Sequence, residues 1–205
     1  MSTLKNLKKH LKRGNVYRRA DLEQWTTAVD RHLGQLVEDG TLQKLSHGLY
    51  YYPKETVFGP TPPDEAILVR SFLKDEDFLI TSPNAYNSLG VGTTQLYNKR
   101  VVYNHKRHGE FELGGRRFFF HAKPKFPKKL SEEFLLVDLI NNLDTLAEDK
   151  NEVMHQALDK AKLMEPKKIK RTISEYGNVR TKKLLSSIFE NEHTVKIFTS
   201  KKGLC

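Results

Sequence analysis

The chain has 205 residues, 38% of them hydrophobic and 29% charged, a length that suits one domain or a small domain joined to a larger one. Its formal charge of +10 favours polyanionic partners, nucleic acid first and an acidic membrane surface second, because Lys and Arg displace condensed counterions from phosphates. No stretch approaches the roughly 18 consecutive apolar residues of a membrane span, and the single cysteine, Cys205, excludes an internal disulfide and a cysteine-based zinc site.

At the start of the chain Leu4, Leu7 and Leu11 lie three and four apart among Lys5, Lys8, Lys9 and Lys12, which predicts a first helix stopped by Gly14. The segment has no apolar block of signal-peptide kind, so a cytoplasmic location is expected. Seven cations, from Lys5 to Arg19, precede the first acid, Asp21, which implies an early basic stripe. Val16 and Tyr17 form an extended link, and Ala20 to Gln24 offers one or two turns of a second helix with Leu22 inward.

Thr26 or Thr27 can cap a third helix, in which Val29, Leu33, Leu36 and Val37 make an apolar strip and Gly40 ends it. Its other side carries Asp30, Arg31, His32 and Gln35. Thr41 to Leu45 and Leu49 to Tyr52 are β-prone runs separated by Ser46, His47 and Gly48, a hairpin signal closed by Pro53. Strand alternation sends Tyr50 and Tyr52 to one side and Tyr51 to the other, so core packing is favoured over a base-stacking platform.

Three short helices followed by a two-stranded hairpin is the order of a winged helix-turn-helix, whose third helix enters the major groove. Residues near the start of that helix reach base edges, so Thr26, Thr27, Arg31, His32 and Gln35 are the candidates for reading sequence. Arg18, Arg19, Lys44 and His47 sit where a cation would meet phosphate and fix register without conveying sequence.

Phe58 to Pro63 reads as a proline-rich joint, and the domain boundary is placed there, with 1–58 as the winged helix-turn-helix and 59–205 as a larger domain. Beyond it, helical spacing resumes from Asp64 to Lys74. Strands are expected at Phe78 to Ile80, Val101 to Tyr103 and Phe118 to Phe120, a short helix at Pro83 to Leu89, and turns at Gly109, Gly114 and Gly115. Ser131-Glu132-Glu133 starts a helix, and further helices fit Asn151 to Leu163, Lys167 to Tyr176 and Thr181 to Phe189. The fold class expected is α+β: an N-terminal winged helix-turn-helix, then a larger mixed α/β domain ending in a helical bundle. Lys123, Lys125, Lys128 and Lys129 with Lys167, Lys168, Lys170 and Arg171 are either a second basic surface or solvated helix exterior.

The run Val16-Tyr17, Asp21-Leu22, Ala28-Val29-Asp30, Leu33, Leu36, Gly40, Leu42, Lys44-Leu45 and Gly48 to Pro53 resembles the N-terminal domain of AbiEi-like antitoxins, the regulator half of type IV toxin-antitoxin pairs. Ser82 to Gly90, Thr93 to Leu96, Val101 to Asn104 and Phe134 to Leu139 resemble the C-terminal domain of that family. Gln35 and His47 depart from the arginines common there. The resemblance implies an antitoxin and autorepressor that binds operator inverted repeats in double-stranded DNA. It also implies that the chain counteracts a nucleotidyltransferase-like toxin without a stable complex. The other reading is a ligand-responsive winged-helix transcription factor with no toxin partner.

Enzymatic readings find little support. His105 and His108 invite a metal or nuclease reading, but no Asp or Glu cluster supplies further ligands at recognisable spacing. Gly90 to Thr94 is too short for a P-loop and no lysine follows it, and the acid pairs Asp75 with Asp77 and Glu132 with Glu133 read as exposed charge or helix N-terminal acids. No catalytic residue, metal site or cofactor is expected.

Overall fold

In the computed structural model, which describes residues 4–187, the first helix α1 (Leu4–His10) buries Leu7 completely. Strand β1 (Val16–Arg18) leads directly into α2 (Arg19–Leu22), a 3-10 turn at Glu23–Trp25 and α3 (Val29–Glu38). The hairpin follows as β2 (Gln43–Ser46) and β3 (Leu49–Tyr51). What reads as an extended link at Val16 and Tyr17 is thus a strand, pairing antiparallel with β3 as Val16 with Tyr51 and Arg18 with Leu49, in a sheet of order β1-β3-β2. A bulge between Lys44 and Ser46 breaks the register of β2 against β3 and leaves the Leu45 carbonyl free to accept from Gly114 N–H at 3.0 Å.

Both faces of this sheet are covered, and alternation decides what each carries. Tyr17, Tyr50 and Tyr52 pack with Leu7, Leu22, Leu33 and Leu36 of the helices. Val16, Leu49 and Tyr51 point the other way, into a core with Leu68, Val102, Leu113 and Phe118. All three tyrosines of the run are therefore packing residues.

A short hairpin, β4 (Glu55–Thr56) with β5 (Gly59–Pro60), occupies the first part of the expected joint and carries Phe58 almost fully exposed at its tip. Helix α4 (Glu65–Leu73) is capped by Asp64, whose carboxylate accepts from the Ala66 and Ile67 amides. A second sheet has the order β6-β7-β9-β8, formed by β6 (Phe78–Thr81), β7 (Arg100–Asn104), β8 (Gly109–Leu113) and β9 (Arg116–Ala122). The glycines expected to make turns around 109–115 enclose strand β8, which pairs Gly109 with Phe120 and Leu113 with Arg116. Its Phe111 and Leu113, two residues apart, lie on one face and join the core of β9.

By contacts the chain divides into two units, one holding the described residues up to Ile80 with Val102–Ala122, the other Thr81–Val101 with the described residues from Lys123 on. This division differs from a boundary at residues 58 and 59. Leu45, Leu49 and Tyr51 share one buried cluster with Leu68, Phe118 and Phe120, so α4 and the second sheet belong with the first sixty residues. Of the strands expected of a larger second domain, Phe78 to Ile80 and Phe118 to Phe120 lie in the first unit, as do Val102 and Tyr103.

The second unit is built around α5 (Glu132–Asn142), capped by Ser131, where every residue from Phe134 to Ile140 is buried. A helix apolar on all sides must be enclosed on all sides. Around it pack the 3-10 helix Pro83–Leu89, α6 (Lys150–Leu163), α7 (Pro166–Tyr176) and a helix over 179–187. Asp138, 1% exposed within this run, accepts from the Tyr86 hydroxyl at 2.8 Å and meets Lys123 Nζ at 3.5 Å. Phe189, the expected end of the last helix, and Cys205 lie outside the described residues. The whole is mixed α+β with several small sheets, and no helix among the described residues is long and apolar enough to cross a membrane.

Candidate nucleic-acid interface

The candidate site is the outer side of α3. Val29, His32, Leu33 and Leu36 face inward at helical spacing, which leaves Asp30, Arg31, Gly34, Gln35 and Glu38 exposed. Arg31 and Gln35, one turn apart, make no side-chain hydrogen bond or ion pair among the described residues. Gly34 between them has open space where a Cβ would stand, so the middle of this face is bare backbone. Glycine inside a helix costs about 1 kcal/mol against alanine and permits close approach of another molecule.

Two candidates for reading bases are not on this face. Thr26 and His32 are 2% and 4% exposed, and Thr26 Oγ1 lies 2.8 Å from His32 Nδ1. They are structural groups satisfying one another on the inner side of the helix, out of reach of a surface ligand. Neither threonine caps α3 in the expected way. The N-cap is Ala28, without side-chain support, and Thr26 Oγ1 accepts from the Ala28 amide at 3.3 Å. Thr27 is exposed at the entry to the helix.

The cations expected to meet phosphate fall into two groups. Lys44 and His47, in and after β2, are exposed with no side-chain partner among the described residues. Arg18 is half-buried and grips Asp21 through two 2.7 Å hydrogen bonds. Arg19 holds Asp30 through two bonds of 2.6 Å and also donates to Glu23. Those bonds, that to Asp30 foremost, hold the Arg19 guanidinium above its ordinary range and the Asp30 carboxyl below its own. The net field of α3 is correspondingly modest. Unpaired basic charge elsewhere in the first sixty residues includes Lys5, Lys9 and Lys12, all exposed on or just after α1, and Lys44 in β2.

Elsewhere, His105 Nε2 lies 3.2 Å from Asp77, and His108 stands edge-on to His121 at 5.5 Å. No group of three or more His, Cys, Asp or Glu gathers to hold a metal among the described residues. Of the basic residues in the second unit, Lys168 pairs with Glu165 and Arg171 with Glu175 along α7.

Comparison with protein-family models, with curated proteins and with solved structures finds no match to this chain.

Two cations that sequence reading left out also belong with this surface. Lys74 and Arg107 line one recess with Arg18, Arg19, His47 and Gly48 of the hairpin turn. They are 33 positions apart, and no spacing rule in the sequence could have joined them. One signal was available for His32, which stands three after Val29 and four before Leu36, inside the apolar strip.

Proposed function

We propose that this protein is a DNA-binding regulator whose first unit engages duplex DNA through α3 and the β2–β3 hairpin. The observation behind it is the exposed pair Arg31 and Gln35, unpartnered and flanking a bare glycine, on the third helix of a helix-strand-helix-helix-strand-strand order. That order is the one a winged helix-turn-helix uses. Arg31 has the donor fork that suits guanine and Gln35 the amide that suits adenine, while Lys44 and His47 suit phosphate.

The further reading, an antitoxin and autorepressor of a type IV toxin-antitoxin operon acting from the cytoplasm, rests on the residue resemblance across both parts of the chain. In that reading the chain counteracts a nucleotidyltransferase-like toxin. A regulator of the same build answering to a small ligand would lack a neighbouring nucleotidyltransferase gene, and that gene's presence separates the two.

Electrophoretic mobility shift on the DNA upstream of the protein's own gene tests the regulator reading directly. Binding to that DNA should exceed binding to random duplex and weaken steeply with salt, with log K falling by about 0.9 per phosphate contact for each tenfold rise in salt. Flat salt dependence, or equal affinity for random duplex, would overturn it. Co-expression with the adjacent toxin tests the antitoxin reading, through rescue of growth.

A further inference from the structure

Between the hairpin turn and the end of α4 lies a recess of about 250 Å³ in the first unit. Five of its lining residues, Arg18, Arg19, His47, Lys74 and Arg107, carry basic side chains, and no carboxylate lines it. Arg18 and Arg19 are already matched by Asp21, Glu23 and Asp30. Lys74 and Arg107 have no carboxylate partner among the described residues, whereas the adjacent Lys106 and His105 pair with Asp75 and Asp77. The excess positive charge of the recess is therefore concentrated on these two.

Backbone geometry fixes where each of these side chains leaves the chain. Lys74 ends α4 in the left-handed conformation, φ 54°, the sole non-glycine residue with positive φ among the described residues. Its amide donates to the Arg70 carbonyl at 2.9 Å, and its own carbonyl accepts from Lys106 Nζ at 3.0 Å. Asn104 holds the turn that carries Arg107, its Oδ1 accepting from the Lys106 and Arg107 amides at 2.8 and 2.6 Å. The Arg107 guanidinium lies over the Phe72 ring, 4.5 Å from its centroid. A guanidinium held at a ring in this way makes no hydrogen bond to it and keeps its N–H groups for an oxyanion. Across the recess, the Arg19 amide donates to the Gly48 carbonyl at 2.9 Å and fixes the turn that presents His47.

We propose that this recess is a phosphate-binding site in which Arg107 and Lys74 are the ligating cations and His47 a further donor. A recess of this size has room for a phosphate group. The group can belong to free inorganic phosphate or to a backbone phosphodiester of bound duplex. The second source rests on the regulator reading above and extends that footprint from the hairpin to the second sheet.

The test is titration of the full chain with inorganic phosphate at constant ionic strength set by chloride, following the Gly48 amide and the Arg107 side-chain N–H by NMR. A saturable shift of both signals, weakened at least tenfold at Gly48 in Arg107→Ala and in Lys74→Gly, is the expected result. Lys74→Gly relieves the positive φ while deleting the charge, so it is suited to folding even if Arg107→Ala is not. Shifts that are linear in phosphate, or equal in the wild type and Lys74→Gly, would overturn the proposal. With wild type that binds duplex, a fall of about 1 in the salt slope on Lys74→Gly identifies the source as backbone phosphate. An unchanged slope beside a lost phosphate response identifies it as free phosphate. Absence of duplex binding by wild type would sink the regulator reading and leave the phosphate titration to decide this one.

Discussion

Thr26 Oγ1 meets the inward-facing His32 of α3 at 2.8 Å from Nδ1, and Arg31, next to His32 in sequence, stands in solvent on the helix's outer face. Substitution should therefore separate stability from binding. Thr26→Val strands a buried imidazole nitrogen and should cost about 1 to 3 kcal/mol. Arg31→Ala should stay within about 0.5 kcal/mol of wild type. Urea unfolding midpoints of the two variants check this, and equal losses would contradict the placement.

On duplex DNA, Arg31→Ala should relax preference at one base pair by about 1 to 3 kcal/mol, as loss of a bidentate base contact does. Lys44→Ala should weaken all duplexes alike and lower the salt slope by about 1. Competition binding against a panel of single-base operator variants distinguishes the two patterns, and identical behaviour would break the division of roles.

Asp30 neutralises Arg19 beside the exposed face of α3. Replacing it by Asn removes a negative charge from that face and half-frees a cation, so duplex affinity should rise at low salt and converge on wild type as salt increases. Fluorescence anisotropy at two ionic strengths reads the effect. Lower affinity at both would show that the Arg19–Asp30 pair orders the helix entry and does not screen it.

Acid stability has a named contributor in Asp39. The Thr41 hydroxyl and amide and then Lys8 hold its carboxyl down at about 2, below the ordinary 3.8. A carboxyl with a depressed folded value stabilises above its unfolded value and loses that contribution as the pH falls through the folded one. Asp39→Asn should therefore flatten the stability profile between about pH 4 and pH 2 and leave its shape above pH 5 unchanged. Urea midpoints measured across that range would show it, and a profile parallel to wild type would refute it.

In the second unit, Asp138→Ala removes the acceptor that the buried Tyr86 hydroxyl and the partly exposed Lys123 share and should cost about 1 to 3 kcal/mol. Asp138→Asn keeps an acceptor oxygen for Tyr86 and should cost clearly less. Thermal unfolding of both variants gives the comparison, and equal losses would mean that the buried charge, not the hydrogen bond, is what Tyr86 requires.

Local pattern was enough for the helices and for the β2–β3 hairpin, because each rests on short-range rules. Leu4, Leu7 and Leu11 at helical spacing gave α1, Ser131 gave the start of α5, and the Ser46-His47-Gly48 turn gave the hairpin. The same rules gave the exposure of Arg31 and Gln35, which follows from where Leu33 and Leu36 must point. Alternation also assigned opposite faces to Tyr51 and its neighbours, since successive strand side chains cannot share a side.

Tertiary structure alone decided what lay on those faces. Tyr51 meets Phe118 in one core across 67 positions of chain, and this long-range burial joins α4 and the second sheet to the first sixty residues. It also brought Asp30 to Arg19 across eleven positions, whereas the Arg18–Asp21 and Arg19–Glu23 pairs stand three and four apart, a spacing already present in the sequence. Charge pairing and burial depend on distances through space, and a linear pattern fixes those only within a turn of helix or a step of strand.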